Sequence, residues 1–258
     1  MSQVKYLRFW RLFSLLLLFS SVVSAQGEAP LKVLFAGNSY TYFWNLPQTV
    51  QAMAEAKKMN MVTRQSTAGG VNWGQHWRGE KQLDTKELIT NGDWDIVVMQ
   101  NHSLSTIERP DSFMIFGEQL AGLVRASGAE PVLYVTWARA FNPLMQEKIT
   151  RKYQELAEAI DAPLIPVGPA WESAGRLRPD LELFDPDGSH PSHLGTYLTA
   201  CVFFRALTGQ VAEGLPNRLT SKDKDGEKLY LTIVSPEDAV FLQQVADQIV
   251  SAFEEQKN

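Results

Sequence analysis

Cysteine is almost absent from this chain of 258 residues: Cys201 stands alone, so no internal disulfide can form and a packed core must hold the fold. Histidine is nearly as scarce, with His76, His102, His190 and His193 the complete set. Neither a GxGxxG nor a GxxxxGK[ST] run occurs, which removes the usual sequence marks of dinucleotide-binding and phosphate-cradling loops. Beyond residue 25 no stretch is long and apolar enough for a bilayer span, which takes about 20 residues. Repeats and low-complexity linkers are also missing. Positive charge is in deficit, 24 Lys and Arg against 29 Asp and Glu, and this net charge of −5 argues against nucleic acid or an anionic membrane as the main partner.

The one long apolar run lies at the start. Lys5, Arg8 and Arg11 precede Leu12 to Val23, and Val23-Ser24-Ala25 follows as a small-residue cleavage site, the order expected of a signal peptide. The run is short for an anchor, and Ser14, Ser20 and Ser21 dilute it. Cleavage after Ala25 and export, to a bacterial periplasm or the medium, are therefore expected, with no stable membrane insertion afterwards. Residues 1–25 carry three positive charges and no negative ones, so their loss moves the net charge from −5 to −8. Residues 26–258 are enough for one domain with a sizeable core. Cys201 lies in an apolar helical stretch and reads as packing rather than as a nucleophile.

Short apolar runs alternate with helical patterns along the rest of the chain. Leu31 to Ala36, Met61 to Gln65, Trp94 to Gln100, Pro131 to Trp137 and Leu164 to Val167 read as strands buried on both faces. Helices are expected at Pro47 to Lys58, Asp111 to Ala126, Pro143 to Ile160, His193 to Leu207 and Pro236 to Glu254; Ser235, Pro236 and Asp238 supply the last of these with start chemistry. Residues 210–230, with their lysine and aspartate cluster, read as a polar surface excursion. The alternation implies an α/β fold with a parallel sheet covered by helices on both sides, whose ligand crevice lies beyond the carboxyl ends of the strands.

The segments that follow the strands are therefore the place to look for chemistry. Gly37-Asn38-Ser39 leaves the first strand and can present a serine hydroxyl as a nucleophile, though the same residues suit an ordinary turn. After the second strand Gly69 and Gly70 allow close approach of backbone N–H groups to a ligand. Trp73, His76 and Trp77 behind them form either an aromatic wall for a sugar or acyl group or a packed lid. Gln100 and Asn101 put side-chain amides at the tip of the third strand, with His102 beside them to line the site or cap the loop. Arg139 and Glu172 follow the fourth and fifth strands within reach of the crevice. Finally, Asp185-Pro-Asp-Gly-Ser-His190-Pro-Ser-His193 sets an acid three residues before a histidine. A serine hydroxyl attacks only when a base takes its proton, and an imidazole oriented by a carboxylate is such a base.

Serine after the first strand, glycine after the second, an amide residue after the third and Asp187-Gly-Ser-His190-Pro191 before the last helices together resemble the SGNH, or GDSL-like, hydrolase superfamily, from about Leu31 to Leu207. The resemblance implies a three-layer αβα sandwich around a flavodoxin-like, parallel five-stranded sheet. It implies a serine esterase working through an acyl-enzyme without metal or organic cofactor, on a small-molecule or glycan ester; export, an acidic surface and a cleft lined by Trp73, His76 and Trp77 make carbohydrate O-acetyl groups the expected substrate. Ser39 matches the nucleophile, His190 the general base and Asp187 the triad acid. The oxyanion hole would be the N–H of Ser39, that of Gly70 with Gly69 next in line, and the side-chain amide of Gln100 or Asn101, Gln100 being preferred because carbohydrate esterases of the superfamily can use glutamine there. Two departures stand out: Asn38 replaces the aspartate of many members, and Gln100-Asn101-His102-Ser103 replaces Gly-x-Asn-Asp.

Two rival readings make different demands. Asp187, His190 and His193, joined by His76 or His102, would be ligands in a metal-dependent hydrolase. Trp73, Trp77, Trp137 and Trp171 would be stacking platforms in a carbohydrate-binding protein without catalysis.

Overall fold

The computed structural model describes residues 29–255; the expected signal segment and its cleavage site lie outside them. Five parallel strands, β1 (Leu31–Gly37), β2 (Met61–Thr67), β3 (Ile96–Met99), β4 (Glu130–Tyr134) and β5 (Leu164–Ile165), form one sheet in the order β2-β1-β3-β4-β5. This is the doubly wound flavodoxin-like order. The helices are α1 (Ser39–Tyr42), α2 (Leu46–Ala56), α3 (Trp73–Arg78), α4 (Thr85–Asn91), α5 (Ser105–Glu108), α6 (Pro110–Ala126), α7 (Met145–Ile160), α8 (Val167–Leu177), α9 (His193–Thr208) and α10 (Pro236–Glu255).

Alternation along the strands divides the core in two. Val33 and Phe35 of β1 point into the cluster built with α2, α8, α9 and α10, where Phe203, Leu198 and Leu242 are buried. Leu34 and Ala36 point the other way, towards α3, α6 and α7 with Trp73, Phe113 and Tyr153. Both faces of the sheet are therefore covered at its centre, which is why β1, β3 and β4 are mostly apolar, whereas the edge strand β2 carries Thr63, Arg64 and Gln65 and is largely half-buried or exposed. Cys201 is fully buried in the first cluster, and burial pushes its thiol far above the ordinary range.

Three local departures from the expected elements have plain causes. Strand β5 stops at Ile165 because Pro166 has no N–H for a ladder and Val167 already begins α8. Helix α8 itself was concealed by Gly168, Pro169 and Gly175, all poor helix formers. Residues 210–230 are no mere polar excursion: β6 (Arg218–Lys222) and β7 (Lys228–Ile233) pair as an antiparallel hairpin, with Leu219 and Leu231 buried. Its turn runs through Asp225-Gly226, where Gly226 has φ of 84°.

In this strand order the chain reverses direction between β1 and β3, so the crevice opens there. Gly37 and Gln100, the residues at the tips of these two strands, are adjacent.

Candidate active site

Ser39 is the first helical residue of α1, and Asn38 caps that helix. The Asn38 side chain accepts the N–H of Tyr40 at 3.0 Å and donates to the Val71 carbonyl at 2.9 Å, so it ties the turn to the segment after β2. An aspartate there could supply the first bond but not the second. Gln100 fastens the same turn from β3: its Oε1 accepts the Asn38 N–H at 2.8 Å and the Thr41 hydroxyl at 3.1 Å. From the other side His76 Nε2 donates to the Gly37 carbonyl at 3.0 Å while its Nδ1 accepts from the Thr85 hydroxyl at 2.6 Å. Burial holds the His76 ring neutral, with its pKa pushed down to about 4 despite the upward pull of the Gly37 carbonyl.

His190 and Asp187 sit on the turn before α9. Asp187 Oδ1 accepts the N–H groups of Ser189 and His190, each at 2.9 Å, and Gly188 takes the left-handed φ of 65° that closes the turn. The second carboxylate oxygen receives the His190 Nδ1 proton at 2.5 Å. His190 Nε2 is thereby left as an acceptor, and Ser39 Oγ lies 2.9 Å from it. Partial burial works to raise the Asp187 pKa, but the bonds from His190 and Ser189 outweigh it and hold the carboxyl at about 2. The imidazole is also gripped by aromatics: Phe43 stacks on it at 4.3 Å, and Tyr40 meets it edge-on at 5.8 Å. Behind them Tyr40, Trp137 and Trp171 stack in a column at 4.3 and 4.0 Å. The Trp137 indole donates to the Ser189 carbonyl, which pins the histidine turn to the tail of β4.

Ser39 opens into a cleft of about 510 Å³ whose walls include Tyr42, Phe43, Gly70, His102 and Arg139. Among the described residues no acceptor is found for the backbone N–H of Ser39 or of Gly70. Gly70 has φ of 67°, a conformation that favours glycine, and is exposed at the cleft edge. Asn101 accepts the N–H groups of Trp73 and His102 through Oδ1, at 3.0 and 2.8 Å, and its amide nitrogen has no acceptor among the described residues.

Gln100 is a correction to the sequence reading. It is fully buried; its oxygen brings two donors together, and its nitrogen donates to the Asn101 carbonyl. The oxygen is thus spent on bracing the Ser39 turn and one N–H of the nitrogen on the Asn101 carbonyl, whereas the Asn101 amide nitrogen has no protein partner among the described residues.

The expected aromatic wall is a second correction. Trp73 and His76 are both 0% exposed, Trp73 stacking on Phe113 at 4.9 Å. Trp77 is half-buried against the core and meets Lys86, outside the residues that line the cleft of Ser39. All three lie on α3, whose apolar face packs against the sheet and α6, so none forms that wall. The aromatics that line the cleft are instead Tyr40, Tyr42 and Phe43, with Trp44 following them, and sequence reasoning passed over all four. Three aromatics directly after the nucleophile block were the available signal. Trp44 is 44% exposed and donates to the Pro191 carbonyl at 2.9 Å, next to His190. It and Asn45 are consecutive left-handed residues without being glycine, a costly backbone that recurs at functional sites.

Neither rival reading gains from the geometry. His193 turns away to meet Trp44 edge-on, and among the described residues no three His, Cys, Asp or Glu side chains gather as metal ligands. Trp137 and Trp171 are buried in the stacked column and offer no platform. Glu172 is exposed on α8 and lines a separate cleft of about 460 Å³, which Arg139 shares.

No protein-family model and no curated protein sequence matches the chain. Solved structures do. A protein described as an SGNH hydrolase, from Slackia heliotrinireducens, is 25% identical with a TM-score of 0.60, over 69% of this chain and all of that one. A DUF4886 family protein from Bacteroides uniformis is 20% identical with a TM-score of 0.71, over 86% of this chain and 95% of that one. An acetyl xylan esterase, AlAXEase, is 15% identical with a TM-score of 0.56, over 68% of this chain and 99% of that one. The chain has the αβα sandwich of the SGNH hydrolases, so the resemblance read in the sequence holds in three dimensions. Among the described residues no helix is long and apolar enough to cross a membrane.

Proposed function

We propose that the protein is a serine esterase that works by two-step acyl transfer. The observation that carries this reading is the unbroken chain Ser39 Oγ–His190 Nε2, 2.9 Å, and His190 Nδ1–Asp187 Oδ2, 2.5 Å, at the mouth of the crevice. Ser39 attacks the ester carbonyl as His190 accepts its proton. The N–H groups of Ser39 and Gly70, with the Asn101 amide as third donor, receive the developing oxyanion. The charge on Asp187 stabilises the imidazolium, which then protonates the departing alcohol; water releases the acyl group by the same steps in reverse.

A small acyl group on a glycan is the substrate class we favour, because Tyr42 and Phe43 line the cleft beside the serine and aromatic side chains suit the apolar face of a sugar. Export fits this reading, through the basic and apolar start of the chain and a mature form beginning at residue 26. The test is hydrolysis of 4-nitrophenyl acetate and acetate release from an O-acetylated oligosaccharide, by the protein and by S39A, H190A and H193A, with and without EDTA. Loss of turnover in S39A and H190A alone, unaffected by EDTA, is the expected result. Activity that survives S39A, or that EDTA removes, overturns the mechanism; cleavage of the nitrophenyl ester alone overturns the glycan assignment.

A further inference from the structure

Every other half-buried arginine among those bonded through its guanidinium has strong acceptors. Arg178 grips Asp180 and Asp238, and Arg205 reaches Asp247 and Glu254. Arg139, on the wall of the cleft that holds Ser39, has none of these. The one hydrogen bond of its side chain among the described residues is from Nη2 to the Ser103 hydroxyl at 3.1 Å, and its Nε is buried with no acceptor. No carboxylate among the described residues pairs with it.

The residue is nonetheless held in place. Gln146 accepts the N–H of Ala138 at 2.7 Å, and Ala140 donates to the Gly188 carbonyl at 2.9 Å, so both backbone neighbours of Arg139 are fixed, one of them to the histidine turn. Its charge is felt in the cleft: together with burial it lowers the pKa of His102, and it works against the burial that raises that of Tyr40. A guanidinium kept unpaired beside a nucleophile, in a chain with more acid than base, is a receptor for an anion.

We propose that Arg139 determines substrate specificity by binding a carboxylate of the ester, so that the natural substrate is an acylated acid, such as an acidic sugar, rather than a neutral one. The inference rests on the serine-esterase reading. A monoanion suits the site better than a phosphate dianion, because Asp187, which also lines the cleft, already carries negative charge there. The planar fork of the guanidinium meets the two oxygens of a carboxylate in a bidentate pair.

The experiment compares kcat/KM, read as release of the phenol and divided by each compound's rate of hydroxide-catalysed hydrolysis, for 4-acetoxybenzoate and for its methyl ester, which has the same skeleton without the charge, using the protein, R139Q and R139K. The protein is expected to favour the charged ester by about tenfold or more, through KM, with the preference shrinking as salt is raised. R139Q should bring the ratio near one and R139K should restore part of it. A ratio near one in the parent protein, or one that R139Q leaves unchanged while both rates fall together, overturns the inference. Calorimetry with S39A gives a readout apart from turnover: tighter binding of 4-acetoxybenzoate than of the methyl ester, lost in S39A/R139Q, supports it, and equal binding overturns it. If 4-acetoxybenzoate is cleaved by S39A as fast as by the parent, the serine mechanism fails instead, so the two failures are distinguishable.

Discussion

Replacing Asp187 by asparagine is the sharpest probe of the hydrogen-bond chain, because it separates the turn from the proton. The two backbone bonds to Oδ1, from Ser189 and His190, survive in the amide, so the turn should stay folded. What changes is the atom 2.5 Å from His190 Nδ1, now an NH₂ donor facing a donor. The ring escapes by moving its proton to Nε2, and it then donates to Ser39 instead of accepting from it. Restoring the active tautomer leaves an unmatched N–H pair, at about 1–3 kcal/mol, and the imidazolium loses a charged partner worth about 1.5–3 kcal/mol. The sum, roughly 3–6 kcal/mol, corresponds to about a 10²- to 10⁴-fold loss of kcat/KM on 4-nitrophenyl acetate. Thermal unfolding of D187N should remain within a few degrees of the parent. A loss under about tenfold in a folded D187N refutes the assignment of Asp187 as the group that sets the His190 tautomer.

Two further outcomes concern the supports of the nucleophile turn. His76, neutral in the fold with a pKa of about 4 against 6.5 in the unfolded chain, makes the unfolded state bind the extra proton below pH 6.5; stability is full above that pH and falls between 6.5 and 4, by roughly 3 kcal/mol. Urea unfolding at pH 7, 5 and 4 measures this, and H76Q, which cannot titrate, should show a shallower fall; equal slopes would discard the claim. At Gly37 a Cβ would run into the Thr41 hydroxyl and the Gln100 amide oxygen, both of which hold the turn, so G37A should lose about a hundredfold or more in activity and several degrees in melting temperature. G122A on α6, where a Cβ meets nothing within 4 Å, is the control and should melt at or slightly above the parent temperature.

The sheet was legible because its strands are short and followed by turn residues, and because the central ones are apolar on both faces; that signal is local. The long helices were legible for the same reason: Ser235 caps α10 as its sequence suggests, with the Asp238 N–H donating to its hydroxyl at 3.1 Å. The convergence of Ser39, Asp187 and His190 could be anticipated from the order of blocks, since a parallel sheet brings successive strand ends to one edge. Side-chain direction was another matter. Trp73 and His76 follow a strand as surely as Ser39 does, yet α3 packs on α6 with both side chains pointing inward, and only the packing of Phe113 and Tyr153 reveals it. Gln100 and Asn101 are neighbours with like chemistry just past the end of β3, and only their tertiary partners, Asn38 and Thr41 for one and Trp73 for the other, show which amide oxygen braces the Ser39 turn. The aromatics after Ser39 stayed unread because the chain turns there through Trp44 and Asn45 in left-handed backbone that sequence rules reserve for glycine.

Ser39 and His190 are 151 residues apart in sequence, and this spacing governs when the chain becomes chemically competent. Closing so long a loop costs about 4 kcal/mol in chain entropy before any constant term. A single hydrogen bond contributes about 1 kcal/mol net, far too little to close it. The contact is therefore a product of the finished sheet and not a cause of it. In a chain that has not finished folding Ser39 lacks its partner, and on the esterase reading proposed above the onset of ester cleavage during refolding would serve as a clock for the last tertiary step, docking of the turn before α9 onto the end of β1.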